Sequence, residues 1–121
     1  MKPNISIIVS TYNSPEWLEK VIWGFSAQTY KQFEVVIADD GSTNETANLI
    51  EKLQSQVVFP IKHVWHEDEG FRLAKIRNKA LAIATADYII QIDGDMILHR
   101  NFIKDHKMFA LSGTVVRASR V

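Results

Sequence analysis

Apolar residues arrive along this chain in two alternating rhythms. Ile5 to Ser10 is a continuous apolar run of the kind expected for a strand covered on both faces. Ser14-Pro15 follows, offering an N-cap and a proline at the first helical position, and Trp17, Leu18, Val21, Ile22 and Phe25 then recur at helical spacing. Phe33 to Ala38 reads as a second buried strand and ends in Asp39-Asp40-Gly41. Ser42 and Glu45 have the spacing of a capping box, with Leu49, Ile50 and Leu53 on one face of the helix they would open. After Pro60 a third run, Ile61 to Trp65, leads into the polar loop His66 to Gly70. Leu73, Ile76, Ala80, Ile83 and Ala84 then mark one side of a third helix. Tyr88 to Ile92 is the fourth strand; a helix over about Asn101 to Leu111 and a strand beginning at Thr114 to Val116 complete the expected series.

Strands separated by helical patterns imply βαβ units, so the expected fold is α/β: a mostly parallel sheet with helices on both faces. In such sheets ligands bind beyond the carboxyl ends of the strands, where the strand order reverses. Three of these ends are polar here: Ser10-Thr11-Tyr12-Asn13, Asp39-Asp40-Gly41-Ser42 and Asp93-Gly94-Asp95. Parallel strands put all three on one edge of the sheet. Caps and turns account for some of these residues, Ser42 among them, but not for Asp40, Asp93 and Asp95 gathering beside the ring of Tyr12. Two carboxylates one residue apart repel unless a cation sits between them, and oxygen-only ligands favour a hard ion such as Mg²⁺ or Mn²⁺ that keeps positions open for phosphate oxygens. Asp-Gly is also an ordinary turn dipeptide, so the convergence of the three ends, rather than Asp-Gly-Asp alone, points to a nucleoside-diphosphate site.

Composition narrows the classes. With 121 residues, 46% of them hydrophobic, the chain can bury one core and is expected to be a single domain. The 14 basic and 14 acidic residues balance, so no overall field draws nucleic acid or an anionic membrane. Cysteine is absent, which removes disulfides and thiol chemistry and is compatible with the cytoplasm. No apolar run is long enough to span a bilayer and no signal peptide precedes Ile5, which leaves peripheral attachment to the inner face of a membrane open. A phosphatase of the haloacid-dehalogenase type would place its Asp-x-Asp after the first core strand, not the fourth. A dinucleotide-binding oxidoreductase would need a Gly-x-Gly-x-x-Gly turn, and the chain has none.

Ile-Ile-Val-Ser-Thr-Tyr-Asn at 7–13 and Val-Ile-Ala-Asp-Asp-Gly-Ser at 36–42 resemble the opening of a family 2 glycosyltransferase of the GT-A fold. Gly70-Phe71-Arg72, Arg77-Asn78 and Asp93-Gly94-Asp95-Met96 are similar to later blocks of that family, nearest to its chondroitin-polymerase-like and galactosyltransferase-like branch. The resemblance runs from about Ile5 to Val121. It implies metal-dependent, inverting transfer of a sugar from a nucleotide-sugar donor, most often a UDP-sugar, to an acceptor hydroxyl of a glycan. Ser10 and Asp40 match positions that make polar contacts to the nucleotide, with Asp40 accepting a hydrogen from the base, and Tyr12 supplies the flat surface a base stacks on. Arg77 matches an arginine near the diphosphate or base, although a charged residue on a helix is ordinarily a solvated face. Asp95 would hold the Mn²⁺ or Mg²⁺, and Asp93 would contact the ribose or the ion.

Other positions carry weaker expectations. Arg72 and Lys75 are secondary candidates for the same neighbourhood, and His66, Asp68 and Glu69 read as a solvated charged loop bordering it. In the family the catalytic base and acceptor site come from a C-terminal half, so the resemblance implies that residues 1–121 are a donor-binding part, with the base beyond Val121. His99, Asp105 and His106 are no better than surface residues, and a cut edge would favour self-association. A non-catalytic nucleotide-sugar-binding module is the alternative.

Overall fold

The computed structural model describes residues 3–70, 72–93, 100, 101, 103, 104 and 115–117. Five strands and three helices follow in the order β1 (Ile5–Thr11), α1 (Pro15–Ser26), β2 (Phe33–Asp39), α2 (Asn44–Gln54), β3 (Ile61–Trp65), α3 (Leu73–Ile83), β4 (Tyr88–Asp93) and β5 (Val115–Arg117). The strands form one sheet in the order β3-β2-β1-β4-β5, and every pairing is parallel. This is the α/β arrangement the alternating pattern predicts. The helix expected over Asn101 to Leu111 falls almost wholly outside the described residues. Among the described residues no helix is long and apolar enough to cross a membrane.

Pleating divides the sheet into two faces. On β1 the odd positions Ile5, Ile7 and Val9 join Val35 and Ile37 of β2 and Ile90 and Ile92 of β4 in one core, closed by Leu18, Ile22 and Phe25 of α1 and Ile50 and Leu53 of α2. Ile8, Val36, Ala38 and Ile89 face the opposite way and pack on Ile76 and Ala80 of α3. Each buried Ile, Leu or Phe contributes about 1.5–3 kcal/mol relative to exposure. Two apolar residues at helical spacing lie outside the cores: Trp17 is 46% exposed, and Ile83, at the end of α3, is 41% exposed. The Trp17 ring instead carries the Lys20 ammonium 4.8 Å from its centroid.

Ser14 is the N-cap residue of α1 as predicted, but neither α1 nor α2 carries the expected side-chain cap. Pro15 does take the first position of α1, and the Ser14 carbonyl begins the ladder by accepting from Leu18 N. The Ser14 hydroxyl, however, donates back to the Tyr12 carbonyl at 3.1 Å rather than capping. The N-cap of α2 is Thr43, so no Ser42–Glu45 capping box forms. Ser42 is buried, and its hydroxyl accepts from Asn13 N at 2.8 Å; tying two loops together displaces the capping role.

The amino-terminal edge of the sheet is locked by a buried carboxylate. Glu34 Oε1 lies 2.8 Å from Lys62 Nζ, and its Oε2 accepts from Ser6 Oγ at 2.5 Å, Thr85 N at 2.7 Å and Thr85 Oγ1 at 2.9 Å. Ser6 Oγ in turn accepts from Ala86 N, so one side chain of β2 ties β1, β3 and the exit of α3 together. Burial alone would raise the Glu34 carboxyl, but the bonds from Lys62, Ser6 and Thr85 outweigh it and hold the group below the usual glutamate range. A depressed folded-state value means stability present at neutral pH and lost as pH falls through that value. Glu34→Gln should therefore lower stability by about 2–4 kcal/mol at pH 7. The gap between variant and parent should narrow below about pH 4.3, where the carboxylate begins to protonate in the unfolded chain. Urea unfolding at pH 7 and pH 3 checks both statements; a gap unchanged at pH 3 would contradict them.

Candidate functional site

The carboxyl edge is polar where the amino edge is locked. The chain steps outward from β1 to β2 to β3 and then returns to the other side of β1, so the strand order reverses between β1 and β4. There Ser10 and Asp93 are register partners, and Ser10 Oγ donates to Asp93 Oδ1 at 3.3 Å. Both belong to the α3 face. Arg77, one helical turn beyond Leu73 in α3, reaches the same oxygen with Nη2 at 3.1 Å. Its side chain is 15% exposed, so Arg77 does not lie on a solvated helix face.

The loops after β1 and β2 are interlocked. Asn13 adopts φ +45°, a left-handed conformation that Asn tolerates, and its Oδ1 accepts from Thr43 N at 2.9 Å. Asp39 performs the turn function that a sequence reader would also consider for Asp40: its Oδ1 accepts from Ser42 N at 2.9 Å, and its Oδ2 lies 2.8 Å from His63 Nε2. That leaves Asp40 on the other face of the sheet, free of the turn. Asp40 is buried, with Oδ1 2.5 Å from His66 Nε2 and Oδ2 accepting from the N–H of Arg72, the N-cap residue of α3, at 3.0 Å. Burial pushes its carboxyl up. The His66 and Arg72 hydrogen bonds, with the positive charge near them, more than reverse this and keep Asp40 below the ordinary aspartate range.

Tyr12 stands at the mouth, 48% exposed, with its hydroxyl donating to Asp68 Oδ2 at 2.6 Å. That bond and the negative charge of Asp68 raise the phenol above its usual value. Gly41, at φ +91°, lets the β3–α3 loop cross directly over it; a Cβ there would lie 2.5 Å from Asp68 Cα. Gly70, at φ +90°, turns the loop back, and its N–H donates to Asp68 Oδ1 at 3.3 Å. Tyr12, Asp40, Asp68 and Gly70 together enclose a cleft of about 230 Å³.

Of the candidate residues, Ser10, Arg77 and Asp93 thus form one cluster, and Tyr12 and Asp40 line an adjoining cleft; Asp95 lies outside the described residues. Lys75 is exposed, and the Arg72 guanidinium pairs with Glu69 at 2.9 Å, so Arg72 serves Asp40 through its backbone. The expectation of a solvated loop bordering the site holds for Asp68, which is exposed and lines the cleft, and for Glu69, but fails for His66, which is buried against Asp40. The signal was available, since the alternation Lys62, Val64, His66 continues the α3 face of β3 past the end of the strand. Among the described residues no three His, Cys, Asp or Glu side chains converge as a metal site. Asp93, 42% exposed and bonded through Oδ1 to Ser10 and Arg77 among the described residues, is a hard-oxygen donor suited to a divalent ion if a second carboxylate joins it.

A sequence profile described as "Glycosyl transferase family 2" matches residues 6–116. The chain belongs to glycosyl transferase family 2. Among its relatives, validoxylamine A glucosyltransferase of Streptomyces hygroscopicus subsp. jinggangensis is 30% identical over 104 residues, which cover 84% of this chain and 24% of that protein. The Escherichia coli UDP-Glc:alpha-D-GlcNAc-diphosphoundecaprenol beta-1,3-glucosyltransferase WfaP is 34% identical over 91 residues, 75% of this chain and 35% of that one. The crystal structure of Staphylococcus aureus TarS 1-349 in complex with UDP-GlcNAc superposes with a TM-score of 0.73 at 30% identity, covering 90% of this chain and 31% of TarS. The mannosyltransferase PcManGT of Pyrobaculum calidifontis, in complex with GDP-Man and Mn²⁺, matches 78% of this chain and 28% of its own at 28% identity and TM-score 0.69. This chain therefore spans about a quarter to a third of these four relatives.

In this member of the family, the two structurally distinct glycines should respond oppositely to a methyl group. Gly41→Ala forces a left-handed conformation on alanine and drives its Cβ into the Asp68 backbone, a cost of about 2–4 kcal/mol. Gly24→Ala, inside α1 with nothing within 4 Å, should stabilise by about 0.5–1 kcal/mol. Urea midpoints distinguish the two; equal responses would mean that the loop does not cross Gly41.

Proposed function

We propose that this chain binds the nucleoside diphosphate of a sugar donor, a UDP-sugar, and supplies the donor side of sugar transfer to an acceptor hydroxyl in glycan synthesis. The observation that carries the reading is the cleft of Tyr12, Asp40, Asp68 and Gly70, placed beside the Ser10–Asp93–Arg77 cluster at the reversal of strand order. Tyr12 offers a ring for a base to stack on. Asp40, held ionised, accepts the N–H that uracil presents at its edge. Arg77 and Asp93 sit where the sugar and diphosphate of such a nucleotide would lie. The TarS complexes with UDP-GlcNAc and UDP support a uridine donor, and the PcManGT complex supports a divalent ion.

Asp93 and Asp95 are the residues that would hold Mn²⁺ or Mg²⁺. Such an ion, when bound, offsets charge developing on the departing diphosphate. Inverting transfer also needs a base for the acceptor hydroxyl. The two described histidines are bonded to Asp39 and Asp40, so neither is assigned that role. Among the described residues, none is assigned as the base or to the acceptor pocket.

Mn²⁺ should strengthen UDP binding by at least about tenfold, a modest return for one ion bridging two phosphates, and Asp95→Ala should abolish the enhancement. Tyr12→Ala should weaken UDP by about tenfold at any Mn²⁺ concentration, as expected for a lost stacking surface. Calorimetric titrations of UDP, with GDP alongside, into the parent and both variants check this. Metal-independent affinity in the parent would remove the ion from the account, and a silent Tyr12→Ala would move the base elsewhere. Sugar transfer to a defined acceptor, against donor binding without transfer, separates an enzyme part from a binding module.

A further inference from the structure

We propose that His66 is a positioning residue that sets base selectivity by donating a hydrogen bond to Asp40 and so aiming its carboxylate into the cleft. The inference rests on the reading of Asp40 as the carboxylate that meets the base. His66 does not line the cleft; it lies behind Asp40, 7% exposed, and acts only through the Nε2–Oδ1 contact. Since Asp40 is an acceptor, Nε2 carries the hydrogen of that bond. The other ring nitrogen, Nδ1, is buried without a partner. An orphaned polar atom in a packed interior is a cost that an apolar residue of similar volume would avoid, so packing alone gives no reason for a histidine here. The bond to Asp40 does.

The chemistry of base reading explains what that bond is for. An ionised carboxylate only accepts, so it pairs with the N3–H of uracil and repels the bare N3 of cytosine. A protonated carboxyl can donate to cytosine N3, and the discrimination disappears. Asp40 is 4% exposed, and burial favours the protonated form; two donors oppose it, His66 Nε2 and the backbone N–H of Arg72. The backbone donor belongs to the start of α3 and persists in any side-chain variant. His66 is therefore the described side chain that hydrogen-bonds Asp40 and sets its direction, while the Arg72 guanidinium acts on it through charge alone.

The test is competition between UDP and CDP, with Mn²⁺ present, for the parent chain and for Asp40→Asn, His66→Leu, His66→Met and His66→Gln. The parent should prefer UDP, and Asp40→Asn should lose that preference. His66→Leu should reduce the UDP-to-CDP ratio by about tenfold or more, mostly by weakening UDP, because a charge-assisted hydrogen bond is gone. His66→Met, which adapts its shape to the space, gives the same measurement if the leucine variant does not fold. His66→Gln, whose amide can donate to Asp40, should recover much of the ratio. A folded His66→Leu or His66→Met with the parental ratio overturns the role of His66 while leaving Asp40 in place. A glutamine variant as unselective as the leucine one overturns the donor argument. A parent without preference, matched by Asp40→Asn, overturns the assignment of Asp40 itself.

Discussion

The parallel pairing of β1 with β2 on one side and β4 on the other is the constraint on which the site depends. All seven residues of β1 are buried, and its register to its neighbours is set by two apolar faces that a one-residue slip would exchange. With that register held, positions far apart in sequence have no choice of face. Ser10 must stand beside Asp93, and Asp40 must point to the side of the sheet that α3 covers. The Glu34 network at the opposite edge fixes where β1, β2, β3 and the end of α3 begin, so the polar edge inherits its geometry from a buried one.

An edge carrying Asp39, Asp40, Asp68 and Asp93 would be repulsive if the carboxylates shared one environment. The fold gives each its own donors: His63 and Ser42 N for Asp39, His66 and Arg72 N for Asp40, the Tyr12 hydroxyl for Asp68, Arg77 and Ser10 for Asp93. The consequence is a division of labour. Asp39, almost wholly buried and turned away from α3, serves the loop. Asp40 faces the cleft in ionised form, and Asp93 stays half-exposed at the switch point, where a ligand of opposite or bridging charge can reach it.

Strands and helices were legible because their signals are periodic: every strand through β4 lies within a residue of its apolar run, and Pro15 marks the start of α1. The convergence of Ser10, Tyr12, Asp40 and Asp93 on one edge followed from parallel topology alone, whereas Arg77, on α3, entered only through the family resemblance. Capping was misjudged because Ser14 and Ser42 have alternative partners across loops, and no local window shows Asn13 N approaching Ser42 Oγ. His66 was misjudged for a related reason. Its polarity suggests solvent, whereas its contact, with Asp40 26 positions away, is tertiary and buried. Asp95 is a reading from the sequence that the described residues do not reach.

The central claim is a location: a nucleoside diphosphate binds at the carboxyl edge of the sheet, on the α3 face. Amide chemical-shift mapping by NMR during titration with UDP and a diamagnetic Mg²⁺ tests it most directly, because every segment reports at once. The account predicts that the largest shifts fall on Tyr12, Asp40, Gly41, Gly70 and Arg72, while Glu34, Thr85 and Ala86 at the amino edge stay in place. Shifts centred instead on the groove between α1 and α2, at Glu16, Glu19, Glu45 and Asn48, would contradict it.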